Sequence, residues 1–129
     1  MPKVLISDSL SNLAQEVFKN NNIKVDVKTE LSPSELQEVI KNYDGLVVRS
    51  ATKVTKEIIE AGYNLKIIGR AGAGVDNIDL PTAKRKKIVV MNTPRGNTNA
   101  TAEHTISLLL SLYRNINEAN IGTHAGLWE

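Results

Sequence analysis

The feature that most constrains the fold of this chain is the alternation of short apolar runs with segments of helical periodicity. Three continuous runs occupy residues 4–6, 46–48 and 88–91, and a fourth, at residues 65–68, is interrupted only by Lys66. A fifth run, at residues 23–27, alternates apolar with charged side chains. Runs this short are typical of strands, and the alternating run is typical of an edge strand. Strands that alternate with helices predict a parallel sheet connected by right-handed crossovers.

Local signals predict where the helices between these strands begin and end. Ser32 and Glu35 form the pattern of a capping box with a proline between them, and Asp79 precedes a second proline-containing first turn. Gly62 stands where a helix after the third strand should end. The sequence therefore predicts an α/β fold: a flavodoxin-like, doubly wound, parallel five-stranded sheet with helices on both faces.

A long C-terminal helix from about residue 98 to residue 117 differs from the others, because it is apolar nearly all the way round. Its large aliphatic residues are Ile106, Leu108, Leu109, Leu110 and Leu112. Such a helix is buried on more than one side, so we expect a second domain or subunit to cover it, and His104 to be structural. The boundaries predicted are a sheet lobe at 1–96 and a helical segment at 97–129. Since the last residues carry no helix cap, we expect the chain to belong to a longer protein.

Composition excludes several classes of function. The chain has no cysteine, which excludes disulfides and thiolate metal sites, and its two histidines are too far apart to predict a metal site. No apolar run approaches the ~20 residues of a membrane span, and the formal charge of +2 is too small to predict nucleic-acid binding. The basic run at 84–87 is interpreted as a solvated helix end. We expect a cytoplasmic protein with neither a membrane nor a nucleic-acid partner.

The candidate site lies at the carboxyl ends of the predicted strands, where open parallel sheets bind ligands. Arg49 and Ser50 follow the third strand, and Arg70, Ala71 and Gly72 follow the fourth. Guanidinium groups match carboxylate and phosphate geometry, and glycines let backbone N–H groups approach an anion. The glycines in GRAGAGVDNID run G-x-x-G-x-G, the reverse of the dinucleotide fingerprint. The pattern predicts a small anion with two acidic groups as the ligand.

Two other proteins of this fold are excluded by the residues at the strand ends. A phosphorelay receiver needs an aspartate where Arg49 stands and a lysine where Asn92 and Thr93 stand. A flavin-binding flavodoxin needs a phosphate loop after the first strand and stacking aromatics, but aromatic residues make up only 4% of the chain. Asp76 and Asp79 are interpreted as turn and cap residues, so no catalytic acid or base is predicted.

Four motifs in order resemble the N-terminal part of the D-2-hydroxyacid dehydrogenases, in particular those that act on 3-phosphoglycerate. The motifs are VLISDSL, GLVVRSATKVT, IIGRAGAGVDNIDL and VVMNTPRGNTNATAEHTISLLL. The resemblance implies an NAD-dependent oxidoreductase that converts 3-phosphoglycerate to 3-phosphohydroxypyruvate, the opening step of serine biosynthesis. It implies that residues 1–96 form the substrate-binding lobe and that 97–129 form a helix connecting to a nucleotide-binding lobe. It also implies a homodimer or homotetramer.

The resemblance implies substrate-binding roles for the residues at the candidate site. Arg49 matches the arginine that holds the phosphate end of the substrate, with Ser50 beside it. Arg70 matches a second arginine that contacts substrate. Ala71 and Gly72 match the loop whose amides hold the carboxylate.

Asn97 also matches a substrate contact, and Ala73 falls where many relatives have a threonine that contacts NAD. The family's catalytic arginine, glutamate and histidine match no residue of this chain, so we expect the chain alone to be inactive. Two alternatives remain open: another D-2-hydroxyacid dehydrogenase, whose substrate carries no phosphate, or a stand-alone anion-binding or dimerisation module.

Overall fold

The computed structural model describes residues 1–127 and confirms the parallel five-stranded α/β architecture. The strands are β1 Lys3–Ile6, β2 Lys24–Val27, β3 Gly45–Val48, β4 Ile67–Arg70 and β5 Val89–Asn92. All pairs are parallel and the order is β2-β1-β3-β4-β5, so the alternating run does form an edge strand. Trp128 and Glu129, the end of the predicted helical segment, lie outside the described residues.

Six helices separate and follow the strands in the described part of the chain. They are α1 Asn12–Asn20, α2 Pro33–Val39, α3 Lys56–Ala61, α4 Leu80–Arg85, α5 Thr98–Tyr113 and α6 Ile116–His124. The capping box is confirmed, because Ser32 and Glu35 bond each other's backbone N–H groups. Asp79 caps α4 by accepting a hydrogen bond from the Thr82 N–H at 2.8 Å. Local chemistry therefore fixes these helix starts.

β4 begins and ends two residues later than the apolar run from which it was predicted. Leu65 lies in the turn before the strand, where its N–H bonds the Gly62 carbonyl and its side chain is buried in the core. The strand is defined by its backbone pairing and not by the polarity of its side chains. This pairing extends β4 through Gly69 to Arg70. Arg70 is therefore the last residue of a strand and not the first residue of a loop.

The core of the sheet unit lies on one face of the sheet. Leu5, Leu46, Val48 and Ile68 alternate along their strands onto this face, where they pack with side chains of α2, α3 and α4. On the opposite face, Val4 and Ile6 are buried, and four large apolar side chains are exposed, namely Val27, Ile67, Val89 and Met91.

The predicted single C-terminal helix is two helices. Asn115 adopts left-handed backbone geometry, with φ of 50°, and this separates α5 from α6. The chain divides into two compact units, Met1–Gly96 and the residues from Asn97 onward. No helix within residues 1–127 is both long and apolar enough to cross a membrane.

The long helix is exposed within the described residues, and its burial by a second domain or subunit stays a prediction. No residue of α5 or α6 is buried, and Leu112 is 77% exposed. His104, which was interpreted as structural on a buried helix, is exposed as well. A helix that is apolar on several sides needs covering surfaces, and residues 1–127 do not supply them.

Tyr43 offers a test of the sheet unit's stability. Its buried hydroxyl donates to an Asp26 carboxylate oxygen at 2.7 Å, and the same oxygen receives the Lys3 ammonium at 2.8 Å. Burial, together with the Asp26 carboxylate, raises the pKa of Tyr43 to about 12. We expect Tyr43→Phe to lower the free energy of unfolding by about 1 kcal/mol at pH 8, the typical net value of a lost hydrogen bond.

This difference between the wild type and Tyr43→Phe should depend on pH. Because the folded pKa lies above the ordinary value of 10.0, the contribution of the tyrosine is complete below pH ~10 and lost as the pH rises through ~12. Urea unfolding of the two proteins between pH 8 and pH 12 measures it. Tyr63→Phe is the matched control, since Tyr63 is 79% exposed. A Tyr43→Phe effect that does not change with pH would contradict the assignment.

Candidate functional site

The structure brings five of the sequence-predicted residues to one edge of the sheet. Arg49 and Ser50 directly follow β3, and Ala71 and Gly72 directly follow Arg70 at the end of β4. In the sheet register, Arg70 lies between Val48 of β3 and Asn92 of β5. These residues therefore share the carboxyl edge, as predicted.

The Arg70 side chain lies on the face of the sheet that holds the core. Strand alternation places it on the same face as Ile68, and it is only 11% exposed. Its Nε donates to the carbonyl oxygen of Arg49 at 3.3 Å, and its Nη1 lies 2.9 Å from an Asp76 carboxylate oxygen. Within residues 1–127, the Arg70 Nη2 donates to no other group. The protein thus holds Nε and Nη1, which leaves Nη2 as the guanidinium nitrogen that can bind a ligand.

The glycines of the loop after β4 make room for this arginine. A Cβ atom on Gly74 would lie 3.0 Å from both the Arg70 Nη1 and the Asp76 Oδ1. One on Gly72 would lie 3.4 Å from the Arg70 Nε. A side chain at Gly74 would force the two partners of the ion pair to shift by a few tenths of an ångström, so this turn fits closely around Arg70.

The amides that the resemblance assigns to carboxylate binding are already used within the protein. The Ala71 N–H donates to the Val48 carbonyl and the Gly72 N–H to the Arg70 carbonyl, both at 2.9 Å. In the described chain, the next two N–H groups, those of Ala73 and Gly74, form no hydrogen bond. The free donors of this turn therefore lie two residues further along the chain than expected.

Asp8 anchors the loop that carries Arg49, a role the sequence analysis missed. The carboxylate is 6% exposed and accepts hydrogen bonds from the Arg49 N–H, the Thr52 N–H and the Thr52 hydroxyl. The Ser7 hydroxyl donates to the Thr52 hydroxyl oxygen at 3.1 Å and completes the network. An aspartate at the end of the first strand was the available signal, but its partners come from a loop more than 40 residues away.

Asn77 is a second residue that the sequence analysis missed. Its amide nitrogen donates to the carbonyl of Arg49 at 2.7 Å and to that of Thr52 at 2.6 Å. The asparagine joins the loop after β4 to the loop after β3. A polar residue in a glycine-rich turn gives no sign of such a contact, because its partners are backbone atoms.

Two clefts open beside this edge. The first, of about 820 Å³, is lined by Ser50, Lys53, Asp76, Asn77 and Asp79 among others. The hydrogen bond from the Thr82 N–H lowers the pKa of Asp79 from its usual value. The other, of about 650 Å³, lies between the ends of β1 and β2. No group of three or more potential metal ligands occurs among the described residues.

Asn97 lies in the second compact unit, where it precedes α5. Its carbonyl accepts the Thr101 N–H at 2.9 Å, and its side chain makes no capping hydrogen bond. The amide of Asn97 is thus not used to cap α5.

Sequence similarity identifies the family to which this sheet and its two arginines belong. Residues 4–125 match the catalytic domain of the D-isomer specific 2-hydroxyacid dehydrogenases, and the chain belongs to that family.

Within this family, the chain is similar to dehydrogenases named for 3-phosphoglycerate. The chain is 50% identical to a D-3-phosphoglycerate dehydrogenase of Synechocystis, covering 100% of this chain and 23% of the relative. It thus spans about a quarter of the length of the curated relatives it matches. The NAD+-bound 3-phosphoglycerate dehydrogenase of Entamoeba histolytica shares 37% identity at a TM-score of 0.75, over 85% of this chain and 38% of that one. A Pyrococcus horikoshii protein shares 35% identity at a TM-score of 0.85, over 100% and 38%.

Proposed function

We propose that this chain is the substrate-binding part of an NAD-dependent dehydrogenase that oxidises 3-phosphoglycerate to 3-phosphohydroxypyruvate, the first step of serine biosynthesis in the cytoplasm. The observation that carries the proposal is the junction of two arginines, with the Arg70 guanidinium bonded to the Arg49 carbonyl. A substrate with a phosphate and a carboxylate needs two cationic or N–H-rich subsites. The names of the relatives support this substrate.

Arg49 binds the phosphate in this proposal. Its side chain is exposed, and its only hydrogen bond within the described residues runs from Nη1 to the Ser9 carbonyl at 3.3 Å. Most of its donors therefore remain available for phosphate oxygens, which guanidinium groups bind bidentately. Ser50, exposed at the cleft, adds a hydroxyl beside it. The Nη2 group of Arg70 is the second cationic contact.

The carboxylate of the substrate is assigned to the turn after β4. Because the amides of Ala71 and Gly72 are occupied, the donors proposed here are the N–H groups of Ala73 and Gly74. The uncapped amide of Asn97 is proposed as a further substrate contact. The N–H groups of the turn would orient C2 of the hydroxyacid without taking part in hydride transfer.

NAD is proposed as the cofactor, and it supplies the acceptor for the hydride from C2 of the substrate. This chain provides only an edge contact to it, at Ala73, since its glycine order does not match the dinucleotide fingerprint. A homodimer or homotetramer is proposed as the assembly. The exposed leucines of α5 support it, because large apolar patches mark interaction surfaces.

Steady-state kinetics of the enzyme that carries this chain test the proposal. With NAD, we expect kcat/KM for 3-phosphoglycerate to exceed that for D-glycerate, which lacks the phosphate, by roughly 100-fold or more, because an unpaired cationic site rejects the smaller acid. The 129-residue chain alone is the control, and we expect it to form no NADH.

Three results would contradict the proposal. Equal kcat/KM values for the two acids would indicate a dehydrogenase of unphosphorylated acids. Phosphate binding without turnover of any 2-hydroxyacid would indicate a stand-alone anion-binding module. Turnover by the 129-residue chain alone would place hydride-transfer residues within it.

A further inference from the structure

Asn77 connects the two loops that carry the arginines. Both N–H bonds of its amide are used, one on the Arg49 carbonyl at 2.7 Å and the other on the Thr52 carbonyl at 2.6 Å. These carbonyls flank the segment that begins at Arg49 and contains Ser50. The amide therefore fixes the backbone of the proposed phosphate site at both ends.

The Arg49 carbonyl is also the acceptor for Arg70. The same oxygen receives the Arg70 Nε at 3.3 Å, while the residue before Asn77, Asp76, receives the Arg70 Nη1 at 2.9 Å. Asn77 thus holds the backbone of Arg49, and its neighbour Asp76 holds the guanidinium of Arg70. Such an arrangement sets the spacing of two cationic groups, which a doubly anionic ligand must match.

The oxygen of the Asn77 amide supports a role beyond stability. Its Oδ1 is buried and has no hydrogen-bond partner within residues 1–127. An unpaired buried oxygen costs free energy, and the cost persists in native structures where the group serves another purpose. Turning the amide over would set Oδ1 against two carbonyl oxygens, so the nitrogen must face them.

We propose that Asn77 is a positioning residue of the anion site, and that Asp76 beside it orients the Arg70 guanidinium. The inference rests on the proposed function, since it concerns binding of 3-phosphoglycerate. Neither residue touches substrate in this scheme. Asn77 acts through the backbone of Arg49, and Asp76 acts through the side chain of Arg70.

Kinetics of Asn77→Ala in the enzyme that carries this chain test the role of Asn77. We expect KM for 3-phosphoglycerate to rise roughly tenfold with a smaller change in kcat, as displaced binding groups cause. Asn64→Ala is the matched control, because it removes a similar bond from an asparagine amide to the Lys41 carbonyl. That variant should keep the wild-type KM.

A double variant separates positioning from a purely structural role. If Asn77 acts through Arg49, adding Asn77→Ala to Arg49→Ala should raise KM by less than about twofold more, because coupled residues are not additive. Fully additive effects would overturn the proposal. So would an unchanged KM in Asn77→Ala while Arg49→Ala raises it. An unchanged KM in Arg49→Ala would instead overturn the phosphate-binding role that the proposed function gives to Arg49.

Asp76 gives a second test should Asn77→Ala fail to fold. Its side chain is 83% exposed, so its replacement should not affect folding. Asp76→Asn keeps an oxygen for the Arg70 Nη1 and should retain a KM within about twofold of the wild type, whereas Asp76→Ala should raise KM roughly fivefold. A lower KM in Asp76→Ala would overturn the proposal, because it would show that Asp76 competes with the substrate for Arg70.

Discussion

Replacing Arg49 with alanine in the enzyme that carries this chain is expected to raise KM for 3-phosphoglycerate roughly 10- to 100-fold while kcat changes by less than about threefold. A hydrogen bond to a charged group contributes about 1.5–3 kcal/mol, which corresponds to this range of binding constants. The phosphate lies away from the reacting carbon and is bound equally in the ground and transition states. Loss of such uniform binding raises KM and leaves kcat nearly unchanged.

Two controls sharpen the Arg49 measurement. Arg85→Ala removes an arginine that pairs with Glu60 on the surface, and its KM should match the wild type. Arg49→Lys keeps the charge but loses the planar fork, so its KM should fall between those of the wild type and Arg49→Ala. If KM in Arg49→Ala equals that of the wild type, Arg49 does not bind the substrate.

Replacing Asp8 with alanine is expected to lower the free energy of unfolding of the chain by about 2–4 kcal/mol, the range for breaking a buried polar network around a charged group. The carboxylate is buried and accepts three hydrogen bonds from the loop after β3. Without it, the N–H groups of Arg49 and Thr52 lose their partner in a partly buried position. Equilibrium unfolding in urea measures the change.

Asp8→Asn tests whether the free energy of unfolding depends on the charge of Asp8 or on the shape of its side chain. Its oxygen can accept part of the network, but its NH₂ group would face donors, so we expect an intermediate loss of stability. Glu16→Ala is the control, because Glu16 is an exposed acidic residue of α1, and its effect should stay within about 0.5 kcal/mol. A free energy of unfolding in Asp8→Ala equal to that of Glu16→Ala would show that the network contributes nothing.

The elements that the sequence predicted well are those fixed by neighbouring residues. The capping box at Ser32 and Glu35 and the cap at Asp79 are contacts over three residues, so their residue types alone specify them. The boundaries of β4 could not be predicted in this way. Leu65 is apolar because it is buried in a turn, and Arg70 belongs to the strand because of its pairing with two neighbouring strands.

The same distinction between local and long-range contacts applies to the candidate site. Because alternating strands and helices predict a parallel sheet, the sequence alone placed Arg49 and Arg70 at one edge. The Ala71 N–H is bonded to a carbonyl of another strand and the Gly72 N–H to a carbonyl of the same turn. Backbone acceptors give no residue-type signal, so the sequence could not show which amides of the turn are free. The partners of Asn77 lie 25 and 28 residues away and are backbone atoms that carry no residue-type signal.

The sequence by itself thus determined the α/β class and the edge of the sheet that Arg49 and Arg70 reach, because apolar periodicity and turn chemistry are local properties. Only the tertiary structure decided how those arginines are held. The anchor at Asp8 and the amide of Asn77 depend on contacts between loops, and such contacts exist only once the sheet has brought those loops together. The pairing of Arg70 with Asp76 depends on the folded turn after β4.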